Sequence, residues 1–341
     1  MLVVAFVAFL AVGPARPLAT STTGPVFGVN DDNLRHDWSH ARTEQLPAGN
    51  QVGVWINLSA PDRDDWQVPD DRNVLAQVLG DWSDWARDPA KYARAVRDLV
   101  VAHPNIREVQ VWNEPDLCSF PCMRRDAAAD VQAPGFRGRA AMHYLDFLAA
   151  TYDLVHPLGV KVLGFGLSSN IDDRWTPERV AHQIRRWYRV HGGRVPVARG
   201  VEGGEQIGVR WMEGRYRRPI MDGFAYHPYC KWQPRYTHRV YRALKRLRLP
   251  GGTPQIWWTE SGTTQTTSPR VPDCAKGSES DQAARLRSLL RQARKNPHIA
   301  GMFNFLLNDT VGDTAFRTGF YRPDGTAKPA LAVWIRETAQ S

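Results

Sequence analysis

The sequence predicts an α/β domain closed as a (β/α)8 TIM barrel. Three observations carry this expectation. After Ser21, short β-rich runs alternate with amphipathic helical stretches, the rhythm of βαβ units and a parallel sheet. Most of the β-rich runs are continuously apolar, as strands covered on both faces should be. No linker rich in Gly, Ser or Pro divides the 341 residues, a length that fits one barrel as readily as two smaller domains. One barrel domain is therefore expected from residue 22 to residue 341.

The elements follow in order. Strands are predicted at Val26–Asn30, Val52–Leu58, Val109–Asn113, Val160–Gly166, Gly223–His227, Ile256–Glu260 and Gly301–Leu307. Helices are predicted at Ala90–Ala102, Arg139–His156, Pro177–His191, Thr237–Leu247, Ser280–Lys295 and Pro329–Thr338. Asp88-Pro89 and Thr176-Pro177 read as N-caps followed by Pro at the first helical position. Gly159 and Gly192 stand where helices should stop. Seven strands are clear, and eight would close a barrel. The gap lies between Asp31 and Gln51, too short a stretch for two helices and a strand. Leu34-Arg35-His36-Asp37-Trp38 is read as a compressed second strand, which leaves an abbreviated or irregular N-terminal quarter. The polar, Trp-bearing stretches 62–88 and 192–218 read as elaborated loops after barrel strands.

Composition excludes some classes. With 43% hydrophobic and 23% charged residues, the chain is neither a disordered tail nor a polytopic membrane protein. The net charge of +9 has two readings: an acidic partner, or dispersed surface Arg and Lys that keep the protein soluble. The basic residues are spread along the chain, and the densest run, 241–248, reads as the solvated face of a helix. No nucleic-acid motif accompanies the charge, so no nucleic-acid partner is expected.

The run Leu2 to Val12 is apolar throughout but too short to span a bilayer, which takes ~20 residues. It suits the core of a signal peptide over residues 1–21, with small residues near Ala15 and Ser21 for cleavage. Secretion is expected, without a membrane span. The four Cys agree with an oxidising compartment. Four Cys allow three pairings. Cys118 with Cys122 and Cys230 with Cys274 is the expected set, since each bridge would tie down a loop near the site.

Two segments share one form. In Val109-Gln110-Val111-Trp112-Asn113-Glu114-Pro115 and in Gln255-Ile256-Trp257-Trp258-Thr259-Glu260-Ser261-Gly262, an apolar strand ends in a carboxylate and a turn former follows. The C-terminal strand ends of a parallel barrel share one mouth, where active sites sit. Glu114 and Glu260 would face each other there. Glycosidic bond cleavage needs such a pair, one acid protonated and one ionised. Neighbouring acids push their pKa values apart, which assigns the roles. Asn113 would bond a sugar hydroxyl next to the bond being broken.

Asn113-Glu114-Pro115 after one strand, with Glu260 ending a later one, resembles the clan A glycoside hydrolases, nearest to families 5 and 39. The resemblance implies an eight-stranded barrel, an acid/base Glu114 on strand four and a nucleophile Glu260 on strand seven. It implies a retaining double displacement on a poly- or oligosaccharide, with no metal or organic cofactor. Ala225-Tyr226-His227-Pro228-Tyr229 resembles the His- and Tyr-bearing end of strand six, and Arg35 resembles the Arg ending strand two. His227 or Tyr229 would then help orient Glu260, with Arg35 nearby. One departure is that Phe303–Asp309 carries no Trp where members commonly place one.

The 13 Trp residues have two uses, core filling and flat platforms for sugar rings. Trp112 and Trp257 read as wall or core. Trp258 shares strand parity with Glu260 and is expected to point inward toward substrate. Trp66, Trp211 and Trp232 are candidate platforms at the mouth. The expectation is a secreted, monomeric glycosidase. Two rivals remain: a non-catalytic carbohydrate-binding barrel, and a basic protein that binds nucleic acid or an anionic surface.

Overall fold

A computed structural model describes residues 24–30, 43–59, 71–80, 88–115, 138–167, 177–191, 194–198, 209–213, 218–229, 233–262, 277–309 and 317–339. Its order is β1 (Val26–Asn30), β2 (Gln51–Asn57), β3 (Val74–Leu79), α1 (Pro89–Ala102), β4 (Ile106–Val111), α2 (Gly138–Val155), β5 (Lys161–Leu167) and α3 (Pro177–His191). Then come β6 (Arg194–Ala198), β7 (Val209–Glu213), β8 (Gly223–Tyr226), α4 (Gln233–Lys245), β9 (Gln255–Ser261), α5 (Glu279–Lys295), β10 (Ile299–Phe305) and α6 (Pro329–Thr338). Eight strands form a closed barrel in the order β1-β10-β9-β8-β5-β4-β3-β2, every pair parallel. The predicted (β/α)8 class is the observed one.

The predicted strand count is right for a wrong reason. β1 pairs directly with β2, so no strand is inserted between them in the barrel, and the run predicted at Val52–Leu58 falls on the second barrel strand rather than the third. The third is β3, inside the stretch read as a loop over 62–88. All six of its residues are buried. Glu114 still follows strand four and Glu260 still lies on strand seven, because the misplaced strand was exchanged for a missed one. Residues 31–42, with Arg35, lie outside the described residues. So do residues 1–21, all four Cys, Trp66 and Trp232.

A second correction concerns 192–218. This stretch contains an antiparallel hairpin, β6 with β7, between α3 and β8. It is thus a helix-to-strand connection, whereas the mouth is built by strand-to-helix connections. By connectivity Trp211, on β7, does not belong to the mouth loops.

Local chemistry explains several boundaries. Asp88 caps α1 by accepting from the Lys91 amide at 2.8 Å, with Pro89 at the first turn. Ser278 and Asp281 form a reciprocal capping box on α5. Gly159 adopts φ +78° after the turn that ends α2, as a helix stop requires.

The bore is plugged rather than open. Leu75, Leu163, Ala225, Trp257 and Phe303 pack together inside it. Glycines make the room: a Cβ on Gly301 or Gly223 would stand 2.2 or 2.4 Å from the Trp257 ring. Large side chains facing small ones fill a tapering bore without voids. Lys161, paired with buried Glu108 at 3.4 Å, covers the Trp257 ring at 5.2 Å. Desolvation raises the Glu108 pKa. The larger core lies between the strands and the helices. There Trp112 meets Tyr92 of α1 and Phe147 of α2. No described helix is long and apolar enough to cross a membrane.

Candidate active site

Glu114 and Glu260 meet at the C-terminal rim, and the backbone bends sharply to bring them there. After β4, Trp112 and Glu114 take φ values of +66° and +42°, a region that L side chains rarely adopt. Such strain persists only where the surroundings over-determine it. Here the Tyr144 hydroxyl of α2 donates to the Val111 carbonyl at 2.9 Å and accepts from the Phe165 amide, tying the ends of β4 and β5 together. The Glu114 amide donates to the Gly166 carbonyl at 3.0 Å.

Glu260 reaches the mouth through an irregularity. Met302 pairs with Trp258 and Asn304 with Ser261, so two steps on β10 face three on β9. An extra residue reverses the in–out alternation of a strand. Trp258 therefore faces outward: it is fully buried, and its Nε1 donates to the Tyr226 hydroxyl at 2.8 Å, which meets Thr237 of α4. Shared parity with Glu260 does not put Trp258 in the site. Trp257, its neighbour, fills the bore instead.

His227 stands between the two acids. Its Nδ1 lies 2.9 Å from Glu114 Oε1 and 3.4 Å from Glu260 Oε2. The Tyr229 hydroxyl donates to Glu260 Oε2 at 2.8 Å. His227 is fully buried, and the side chain of Glu260 is more enclosed than that of Glu114, at 4% against 14% exposure. Of the predicted residues, Glu114, Glu260, His227 and Tyr229 are thus brought into one cluster. Asn113, buried beside Glu114, accepts from Gln110 Nε2 at 3.0 Å.

One oxygen from each acid and one His227 nitrogen lie within 4.8 Å of one another, close enough to hold a metal ion as well as a proton. The hydrogen bonds of His227 use the same atoms. Chemically, the cluster offers two carboxylates in direct communication, a histidine that can pass a proton to either, and a phenol that stabilises the ionised form of Glu260.

Replacing Tyr229 with Phe keeps the ring edge-on to Phe305 but deletes the donor. A hydrogen bond to a charged group is worth about 1.5–3 kcal/mol, so any reaction that needs Glu260 ionised is expected to slow roughly 10- to 10²-fold. Steady-state kinetics with a thermal melt as control would show this; an unchanged kcat/KM would show the bond to be idle.

Sequence reasoning missed Gln77, Gln110 and Asn30, all fully buried on the inner face. The signal was present in two of them: Gln77 and Gln110 each interrupt an apolar strand.

No protein-family model matches the chain, and no curated protein matches it significantly. Solved structures do resemble it. A family 39 glycoside hydrolase from Bacteroides cellulosilyticus WH2 shares 15% identity with a TM-score of 0.57, over 93% of this chain and 64% of that one. A family 2 β-galacturonidase from Eisenbergiella tayi shares 12% identity with a TM-score of 0.55, over 92% of this chain and 50% of that one. A calcium-binding mutant of Bacteroides uniformis β-glucuronidase 2 shares 11% identity with a TM-score of 0.55, over 93% and 34%. The chain spans less than two thirds of each of these proteins. At such identities the likeness establishes the barrel fold.

Proposed function

We propose that this chain is a retaining glycoside hydrolase acting on a poly- or oligosaccharide. The observation that carries the reading is the pair Glu114 and Glu260, with oxygens within 4.8 Å and His227 between them. Retaining enzymes hold their two carboxyl groups about 5–5.5 Å apart, whereas inverting enzymes leave roughly 6.5–9.5 Å for a water. The spacing favours retention. The glycosidases among the barrels of similar fold support the same reading.

The environments divide the roles. Glu260, whose Oε2 accepts from the Tyr229 hydroxyl, attacks the anomeric carbon as a carboxylate. Glu114, the more exposed acid, protonates the departing oxygen, so the glycosidic bond breaks as a glycosyl ester forms on Glu260. Glu114, now a carboxylate, takes a proton from water, and the resulting hydroxide attacks the same carbon. Glu260 leaves, and both acids return to their starting states. His227, in contact with both, orients them. Asn113 donates to the hydroxyl next to the anomeric carbon, a contact that strengthens in the oxocarbenium-like transition state.

A panel of aryl glycosides and polysaccharides, followed by NMR of the first-formed anomer, tests this. Turnover with retention is expected. An inverted first product would refute the double displacement, and glycan binding without any turnover would point to a non-catalytic barrel.

Export and a monomeric state belong to the same proposal. The apolar run Leu2–Val12 and the four Cys motivate export. Expression with secretion should yield a chain lacking residues 1–21, with Cys118–Cys122 and Cys230–Cys274 bridged. Intact mass before and after reduction checks it, and four free thiols in exported protein would contradict the bridges.

A further inference from the structure

Beneath the two acids lies a layer of amides, of which the chemistry above uses only Asn113. Gln110 of β4 is fully buried, and its Nε2 has three acceptors in reach. These are the Trp112 carbonyl at 3.0 Å, Asn113 Oδ1 at 3.0 Å and Gln77 Oε1 at 3.4 Å. The Trp112 carbonyl cannot turn round, so the end of the Gln110 amide that faces it is nitrogen, and the other two acceptors agree with that assignment.

That orientation passes to Asn113. Its Oδ1 is taken by Gln110, so Nδ2 is the end left for a ligand. Among the described residues this buried Nδ2 has no hydrogen-bond partner. The orientation is anchored on the other side too. Gln77 Nε2 donates to the Thr259 carbonyl at 3.5 Å, which Asn30 Nδ2 also reaches at 3.4 Å. The layer therefore runs from the backbone beside Glu260 to the amide beside Glu114. Gly166 leaves it room: a Cβ there would stand 2.3 Å from Gln110 Nε2, at a φ of +49°.

We infer that Gln110 is a positioning residue that locks Asn113 with its N–H2 toward substrate, so the sugar must present a hydrogen-bond acceptor beside its anomeric carbon. The inference rests on the glycosidase reading. A hydroxyl meets the requirement. The ammonium group of a 2-amino sugar, a donor only, does not, and a 2-deoxy sugar leaves the buried N–H2 unpaired. Because the contact strengthens as charge develops, its loss should appear in kcat more than in KM.

The test measures kcat and KM for the full chain on a responsive aryl glycoside and on its 2-deoxy and 2-amino counterparts. Gln110→Met, similar in length but without a donor, frees the Asn113 amide to turn. The preference for hydroxyl over 2-deoxy substrate should then fall at least about 10-fold, mainly through kcat. Asn113→Asp keeps the acceptor for Gln110 and replaces the donor with an oxygen. Its kcat/KM on the hydroxyl substrate should fall about 10²- to 10³-fold, and less on the 2-amino one. A folded Gln110→Met with an unchanged preference would overturn the inference, as would an Asn113→Asp enzyme near wild-type rate, since oxygen would then already face the sugar. If Gln110→Met does not fold, Gln110→Glu, of the same length but with an oxygen toward Asn113, takes its place: the same fall in preference is expected, and an unchanged preference would overturn the inference. A wild-type chain that turns over no glycoside overturns the glycosidase reading and this inference with it, an outcome distinct from an active enzyme with an unchanged preference.

Discussion

Glu260→Gln is expected to remove essentially all turnover, by about 10⁴-fold or more, whatever the leaving group. The amide cannot form the glycosyl ester, and nothing else described near the anomeric position is placed to do so. Glu114→Gln should behave differently. Loss of general acid–base assistance is worth about 10²–10⁴-fold, and the loss depends on the leaving group. An aryl glycoside whose phenol departs without protonation should still form the ester, which then accumulates because no base activates water. Added azide, an anion that needs no base, should restore turnover and yield a glycosyl azide. Both variants keep shape and volume, so thermal melts near wild type are expected. If Glu260→Gln kept substantial activity, or if the two variants showed the same leaving-group dependence, the assignment of roles would be wrong.

The second large effect concerns stability. Asp309, just after β10, and Lys328, at the entry to α6, form an ion pair at 2.5 Å with side-chain exposures of 3% and 1%. Asp309 also accepts from the Gly319 amide, and Lys328 donates to the Arg317 carbonyl. The pair thus ties the chain just after β10 to the start of α6. Desolvation pushes the Asp309 pKa up and the Lys328 pKa down, so burial outweighs the mutual attraction on both partners. Such pairs add little net stability, yet removing one partner strands a buried charge. Lys328→Met is expected to destabilise by about 3–5 kcal/mol in urea unfolding at neutral pH. The loss should shrink in acid. Asp309 in the variant has a folded pKa above its unfolded value near 3.9, so the folded state binds more protons and the defect grows as pH rises through that window. In the double variant Asp309→Leu/Lys328→Met the cost should be less than the sum of the single ones. A defect independent of pH would mean that packing, rather than stranded charge, is responsible.

Much of this architecture was legible because its signals are local. Val26–Asn30, Pro177–His191 and Pro329–Thr338 match the observed elements residue for residue. The paired strand-end acids announced the mouth. Three misreadings concern pairing and connectivity, which no single segment carries by itself. Val74–Leu79 was hidden by polar flanks, although six buried positions in a row make it a central strand. Parity with Glu260 misplaces Trp258, because the alternation breaks at a bulge that only the pairing of β9 with β10 reveals. The 192–218 stretch reads as a mouth loop because a helix-to-strand insertion looks, in sequence, like any long loop. Gln77 and Gln110 interrupt apolar strands, but their meaning depends on strands converging in the bore.

The central claim is that Glu260 forms a covalent bond to the sugar. Incubation with a 2-deoxy-2-fluoro glycoside bearing a good leaving group, followed by peptide mapping, tests it directly. The fluorine slows both steps, and the leaving group rescues only the first, so the ester should accumulate. The label is predicted on Glu260, within the peptide Gln255-Ile256-Trp257-Trp258-Thr259-Glu260. A label on another residue, or an active enzyme that inverts the anomer and takes up no label, would contradict the claim.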